Sequence, residues 1–156
     1  MRELQGSGEG EGLRIAVVST RWNDHIVDNL VDGALEVLRD CAVADSDITL
    51  VRVPGAFELP LICDQLADSD DYDAIIALGA VIRGETPHFD YVAGECARGL
   101  SKTALEYGLP VAFGVITADT PEQAQARAQN DDDHNKGVEA ASAAIDMATL
   151  LADLAQ

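Results

Sequence analysis

The chain has 156 residues, about one ordinary domain, a length that buries roughly 68–70% of the unfolded surface without disulfide or metal staples. Ten Lys and Arg against 28 Asp and Glu leave a net charge of −18, which argues against a nucleic-acid face or a polybasic membrane anchor. A hydrophobic content of 47% says that the chain folds despite that charge.

Residues 1–12 carry a Gly/Glu/Ser tract and no apolar h-region, so they read as a flexible tail, not a signal peptide. Residues 13–156 read as a single domain. Leu13 to Thr20 is a β-branched run, the pattern of a buried strand. From Asp24 to Arg39 the period changes: Ile26, Val27, Leu30, Val31, Ala34, Leu35 and Leu38 mark an amphipathic helix. A second strand, Ile48 to Val53, stops at Pro54-Gly55, and a helix follows over Glu58 to Ala67 with Pro60 in its first turn. Tyr72 to Ile82 is the third and most apolar strand. A long helix runs from His88 to Tyr107 and closes on Gly108. Leu109 to Thr117 is the fourth strand. Pro121 opens a short helix carrying Arg127, Asn130 to Asn135 is a polar break, and Gly137 to Leu154 is an Ala-rich last helix.

This alternation predicts an α/β fold. It is a three-layer α-β-α sandwich whose four-stranded parallel sheet is covered by helices on both faces, flavodoxin-like in class. No apolar run approaches the length of a membrane span. Cys41, Cys63 and Cys96 form no C-x-x-C pair and do not cluster with His. They read as buried packing thiols in a reducing cytoplasm, with no disulfide framework and no metal site.

Ligands of such sheets bind beyond the carboxyl ends of the strands, so the residues just after each strand carry the functional information. Trp22 follows the first strand in a polar turn. It either packs on the domain's own rim or offers a flat face to a planar heteroaromatic ligand. After the second strand, Glu58 falls near a helix start, where it either complements the helix dipole or accepts hydrogen bonds from ligand hydroxyls. The third strand runs into Gly79-Ala80-Val81-Ile82-Arg83-Gly84-Glu85-Thr86. This segment nearly matches G-x-x-x-x-G-K-[ST], but Glu85 stands where the phosphate-binding Lys belongs, which rejects a nucleoside triphosphate. Amides at a helix start still make an anion site for one small phosphate without a lysine. Thr86 is a candidate N-cap as well as a phosphate donor. His88, at the helix entry beside that site, is either a surface residue or a proton donor and acceptor. Phe113 reads as core of the fourth strand, and Arg127 and Lys136 read as solvated side chains.

Taken together, Pro54-Gly55-Ala56-Phe57-Glu58-Leu59-Pro60, the run from Gly79 to Val92, Phe113-Gly114-Val115 and Asn135-Lys136-Gly137 resemble the 6,7-dimethyl-8-ribityllumazine synthase family from about Leu13 to Leu151. The resemblance implies the condensation of 5-amino-6-(D-ribitylamino)uracil with 3,4-dihydroxy-2-butanone 4-phosphate, without metal or organic cofactor. By position, Trp22 would stack on the pyrimidine, and Ala56, Phe57 and Glu58 would line the ribityl chain. Ala80, Val81 and Ile82 would present backbone groups to the uracil edge. Glu85 and Thr86 would hold the phosphate ketone, and His88 would shuttle protons. Phe113 and Arg127 would come from a neighbouring subunit, with Lys136 near the same pocket. The partners implied are these small molecules and further copies of the chain, in a homopentamer able to associate further. Two alternatives stay open: the archaeal type of riboflavin synthase, and a non-catalytic flavin or lumazine carrier. A phospho-receiver domain would need an Asp at the end of the third strand, where this chain has Ala80-Val81-Ile82.

Overall fold

Alternating β-branched runs and helical apolar spacing build four strands and five helices in the computed structural model, which describes residues 1–156. They are β1 (Ile15–Thr20), α1 (Asp24–Asp40), β2 (Ile48–Val53), α2 (Leu59–Asp68), β3 (Ala74–Ile82), α3 (His88–Tyr107), β4 (Val111–Ala118), α4 (Pro121–Ala126) and α5 (Lys136–Leu154). Two single 3-10 turns, Asp45–Asp47 and Ala56–Glu58, precede β2 and α2. The strands pair in parallel in the order β2-β1-β3-β4, and Ile15 opens the register against both Ile48 and Ala74. This is the expected α/β sandwich with a flavodoxin-like strand order.

The strands look uniformly apolar in sequence, yet they serve two cores by alternation. Ile15 and Val17 of β1, with Ile76 and Leu78 of β3, face α1 and α5 in a cluster of 22 buried residues. Ala16, Val18, Ile75 and Ala77 face α2 and α3 in a second cluster of 13. The sheet is covered by helices on both faces as expected, fully over β1 and β3 and only partly at its edges. Leu50 of β2 is 41% exposed and Phe113 of β4 is 45% exposed, because each edge strand has only one neighbour. Phe113 is therefore not core in the single chain.

Asn135-Lys136-Gly137 has an architectural explanation. The Asn135 side chain accepts from the Gly137 and Val138 amides, capping α5, and donates to the carbonyls of Asn29 and Gln129. Gly137 lets α5 approach α1 so closely that a Cβ would overlap the Leu30 carbonyl. No rotamer relieves a backbone clash, so Gly137→Ala is expected to destabilise the fold by about 3 kcal/mol. In thermal denaturation that is a fall of about 6–12 °C. Gly94→Ala, where nothing lies within 4 Å, is the control and should be neutral or slightly stabilising.

Residues 6–10, read as part of a flexible tail, lie along α5 and the end of α1. The Ser7 amide donates to Thr149 Oγ1 at 2.9 Å, the Gly10 amide donates to the Cys41 carbonyl at 2.7 Å, and Gly6 abuts the backbone of Asp146. Cys63 and Cys96 are buried between α2 and α3, whereas Cys41 is only half-buried, unlike the packing thiol expected. Burial, with a smaller effect of Cys96, pushes the Cys63 thiol up to about 12, and burial pushes Cys96 up to about 11. Titration of the native protein with a thiol reagent at pH 8 should therefore modify Cys41 first and the other two only on unfolding. Rapid reaction of all three would contradict this packing. No helix is long and apolar enough to cross a membrane.

Candidate active site

The carboxyl ends of three strands are stitched together by the loops that follow them. The Arg21 amide donates to the Val53 carbonyl at 2.8 Å and the Trp22 amide to the Pro54 carbonyl at 3.1 Å. Asn23, in the left-handed region at φ 60°, donates its side-chain amide to the Ala80 carbonyl at 3.1 Å. These bonds fix the ends of β1, β2 and β3 around one cleft of about 520 Å³, inside the usual range for small-molecule sites.

One wall of the cleft is Trp22, 64% exposed and packed against Gly55, where a Cβ would overlap the indole ring. Large apolar rings are seldom left this open, and a flat exposed indole suits an offset-stacked heteroaromatic ring. Ala56, Phe57 and Glu58 follow on the 3-10 turn and line the next wall. Glu58 makes no helix-cap hydrogen bond, and its Oε2 is buried without any partner. A buried acceptor without a protein partner, on a residue that lines a cleft, is the kind of group that a ligand's hydrogen-bond donor satisfies. The floor is the end of β3, where Ala80, Val81 and Ile82 line the cleft.

The mouth is the loop 84–87 and the start of α3. Gly84, Thr86 and His88 line the cleft, and Glu85 stands between them on the exposed loop. The Gly84, Glu85 and Thr86 amides donate no hydrogen bond within the chain. Pro87, not Thr86, occupies the N-cap of α3 and no side chain caps that helix, which corrects the N-cap reading of Thr86. The Thr86 hydroxyl and the loop amides are thus left to an anion at the positive end of a 20-residue helix. The His88 ring is exposed and bonds to no other group of the chain. Thr20, Asn23, Phe89, Tyr91 and Val92 also line the cleft. Sequence reasoning passed over them; the polar turn around Trp22 was the signal available for Asn23.

Three of the expected residues lie elsewhere. Phe113 sits on the outer edge of the sheet. Arg127 caps the carboxyl end of α4 rather than lying on it, and its Nη1 donates to the Gln123 carbonyl at 2.9 Å. Lys136 pairs with Glu139 at 3.1 Å. Arg127 and Lys136 share a separate polar groove with His134 and Asp133. No cluster of His, Cys, Asp and Glu is placed to hold a metal.

The cleft at the strand ends of this doubly wound domain combines an open aromatic face, an unpartnered acceptor and a loop of free amides. The chain matches the family described as 6,7-dimethyl-8-ribityllumazine synthase over residues 12–152. It is 48% identical over 154 residues to a protein of Desulfovibrio desulfuricans named 6,7-dimethyl-8-ribityllumazine synthase, covering 99% of this chain and 98% of that protein. The chain belongs to the 6,7-dimethyl-8-ribityllumazine synthase family. Among solved structures, a de novo designed Rossmann fold protein matches at 13% identity and a TM-score of 0.41, over 72% of this chain and 91% of that one.

Proposed function

We propose that this chain is a transferase of riboflavin biosynthesis. It condenses 5-amino-6-(D-ribitylamino)uracil with 3,4-dihydroxy-2-butanone 4-phosphate to 6,7-dimethyl-8-ribityllumazine, releasing phosphate and water, the water lost both on imine formation and on closure of the second ring. The observation that carries this reading is the meeting, in one cleft, of the unpartnered Glu58 Oε2 with the unbonded Gly84–Thr86 amides. The first suits a polyhydroxy chain and the second a phosphate. Trp22 stacks on the pyrimidine, Ala56 and Phe57 flank the ribityl chain, and Ala80, Val81 and Ile82 meet the uracil edge. Thr86 and the amide of Glu85 receive the phosphate. His88 moves protons as the amine adds to the ketone, water leaves and phosphate is eliminated. Attack of an amine on a ketone needs positioning and proton transfer, not a strong side-chain nucleophile. Incubating the purified chain with both substrates should yield lumazine fluorescence and phosphate in equal amounts. Riboflavin formed from lumazine alone would favour the archaeal riboflavin synthase reaction, and no turnover would favour a carrier.

The site is completed by a second copy of the chain. Phe113, Arg127 and Lys136 do not line the cleft of their own chain. The edge strand that carries Phe113 also borders an apolar groove of about 460 Å³, lined by Val111 and Ala112 and flanked by Leu105, 84% exposed, and Met147, 46% exposed. Exposed apolar edges of this kind mark association surfaces. A homopentamer that carries Phe113 to the uracil and Arg127 to the phosphate of its neighbour satisfies both. Sedimentation at micromolar concentration should give the mass of a pentamer or a multiple of it, and a clean monomer would contradict the shared site. The free cysteines suit a reducing cytoplasm.

The net charge of −18 repels a phosphorylated substrate at long range, while the receiving groups act at short range. Screening removes the long-range part first. Affinity for the phosphate substrate should therefore improve from low to moderate salt. A steady loss over that range would contradict local recognition.

A further inference from the structure

Arg83 has no role in the reaction outlined above, yet it holds three partners at once. Its Nε donates to Asp119 Oδ1 at 2.9 Å and its Nη1 to Asp90 Oδ1 at 3.2 Å. Its guanidinium carbon lies 4.4 Å from the centroid of the Phe89 ring, in cation–π range. Its backbone amide extends the β3–β4 ladder, donating to the Ala118 carbonyl at 2.8 Å. Asp119 directly follows β4, while Phe89 and Asp90 lie in the first turn of α3. One guanidinium therefore gathers the exit of β3, the exit of β4 and the entry of α3.

The loop 84–87 begins and ends at this point. Its amides make no hydrogen bond of their own within the chain, so nothing inside the loop fixes the distance between its ends. An anion site of free amides works only when it is ordered beforehand, since ordering on binding opposes affinity. Arg83 is poorly suited to take the substrate phosphate itself. Two of its five N–H donors are engaged by the carboxylates of Asp119 and Asp90, whose negative charges neutralise the guanidinium and repel an incoming phosphate.

We propose that Arg83 is a positioning residue: with Asp119, Asp90 and Phe89 it staples both ends of the loop 84–87, so that the Gly84–Thr86 amides and His88 stay aligned for the phosphate ketone. The proposal rests on the reading of this loop as the phosphate subsite. Exposed ion pairs add little to global stability, so the staple acts on the loop and not on the fold as a whole.

The test is steady-state kinetics of Arg83→Ala, Arg83→Lys and Asp119→Ala, varying each substrate in turn, with thermal denaturation of each variant. Arg83→Ala should raise KM for the phosphate ketone about tenfold, since small misplacements in a bound geometry cost on this scale. KM for the pyrimidine should change less than twofold and the melting temperature by only a few degrees. Arg83→Lys, which keeps the charge but not the fork, should recover only part of the loss. Asp119→Ala keeps the cation and breaks the staple, so it should move the same KM in the same direction. A lower KM in Asp119→Ala would make Arg83 a direct phosphate ligand and overturn the proposal, as would equal changes in both KM values or none. Wild-type turnover is the internal control: its absence would overturn the assigned reaction, and its presence with unmoved variants would overturn the staple alone.

Discussion

Replacing His88 with alanine is expected to slow lumazine formation roughly ten- to a thousandfold without abolishing it. The ring lines the cleft at the first residue of α3, beside the anion loop, and bonds to nothing else in the chain. Neither ring nitrogen is tied to another group of the chain. The residual rate reflects what the rest of the cleft does. Holding an amine and a ketone together in the right orientation contributes up to about 7–11 kcal/mol in favourable cases, and that contribution survives loss of the imidazole. His88→Ala should therefore lower kcat and leave both KM values within a few-fold. The measurement is saturation kinetics on the variant, and an unchanged kcat would remove His88 from the mechanism.

The second large effect falls on a residue that its own chain keeps away from the cleft. Arg127→Ala is expected to raise KM for the phosphate ketone about ten- to a hundredfold, the equivalent of one charge-assisted hydrogen bond, and KM for the pyrimidine far less. In a single chain this guanidinium bonds only the Gln123 carbonyl, in a groove apart from the cleft. A site complete within one chain would not notice its removal. The split between the two KM values thus reports on recognition and on assembly together. Equal effects on both substrates would count against Arg127 as a phosphate ligand.

The fold was legible because local pattern and global architecture agree. Val17 and Val18 in β1, and Leu30 and Val31 in α1, sit where period predicts. What the pattern could not convey is lateral position in the sheet. Phe113 belongs to an apolar run and reads as core, but its strand is an edge. Likewise β2 is short, β-branched and half-exposed. Strand order comes from crossovers between distant segments, which local periodicity does not encode. The cleft was legible residue by residue at the strand ends, because the chemistry of parallel sheets locates it there. Thr86 was ambiguous in sequence, cap or ligand, and a proline one position later decides the cap. Asn135 and Gly137 drew notice as part of a motif, and their task is to join α1 to α5. Arg83, inside the same motif as His88, drew none. Its partners Asp90 and Asp119 lie 7 and 36 residues away, and only folding shows that they meet.

The claim underlying these expectations is that each active site joins the His88 of one chain to the Arg127 of another. Mixing tests it most directly. His88→Ala and Arg127→Ala chains, each impaired alone, are dissociated, combined in equal amounts and reassembled, and lumazine formation is followed at low phosphate ketone. In a randomly mixed ring of identical contacts, about a quarter of the sites receive an intact His88 and an intact Arg127. Activity should rise to about a quarter of the wild-type value. No gain over the average of the two parents, in mixtures shown to have exchanged subunits, would mean that His88 and Arg127 act within one chain and would contradict the shared site.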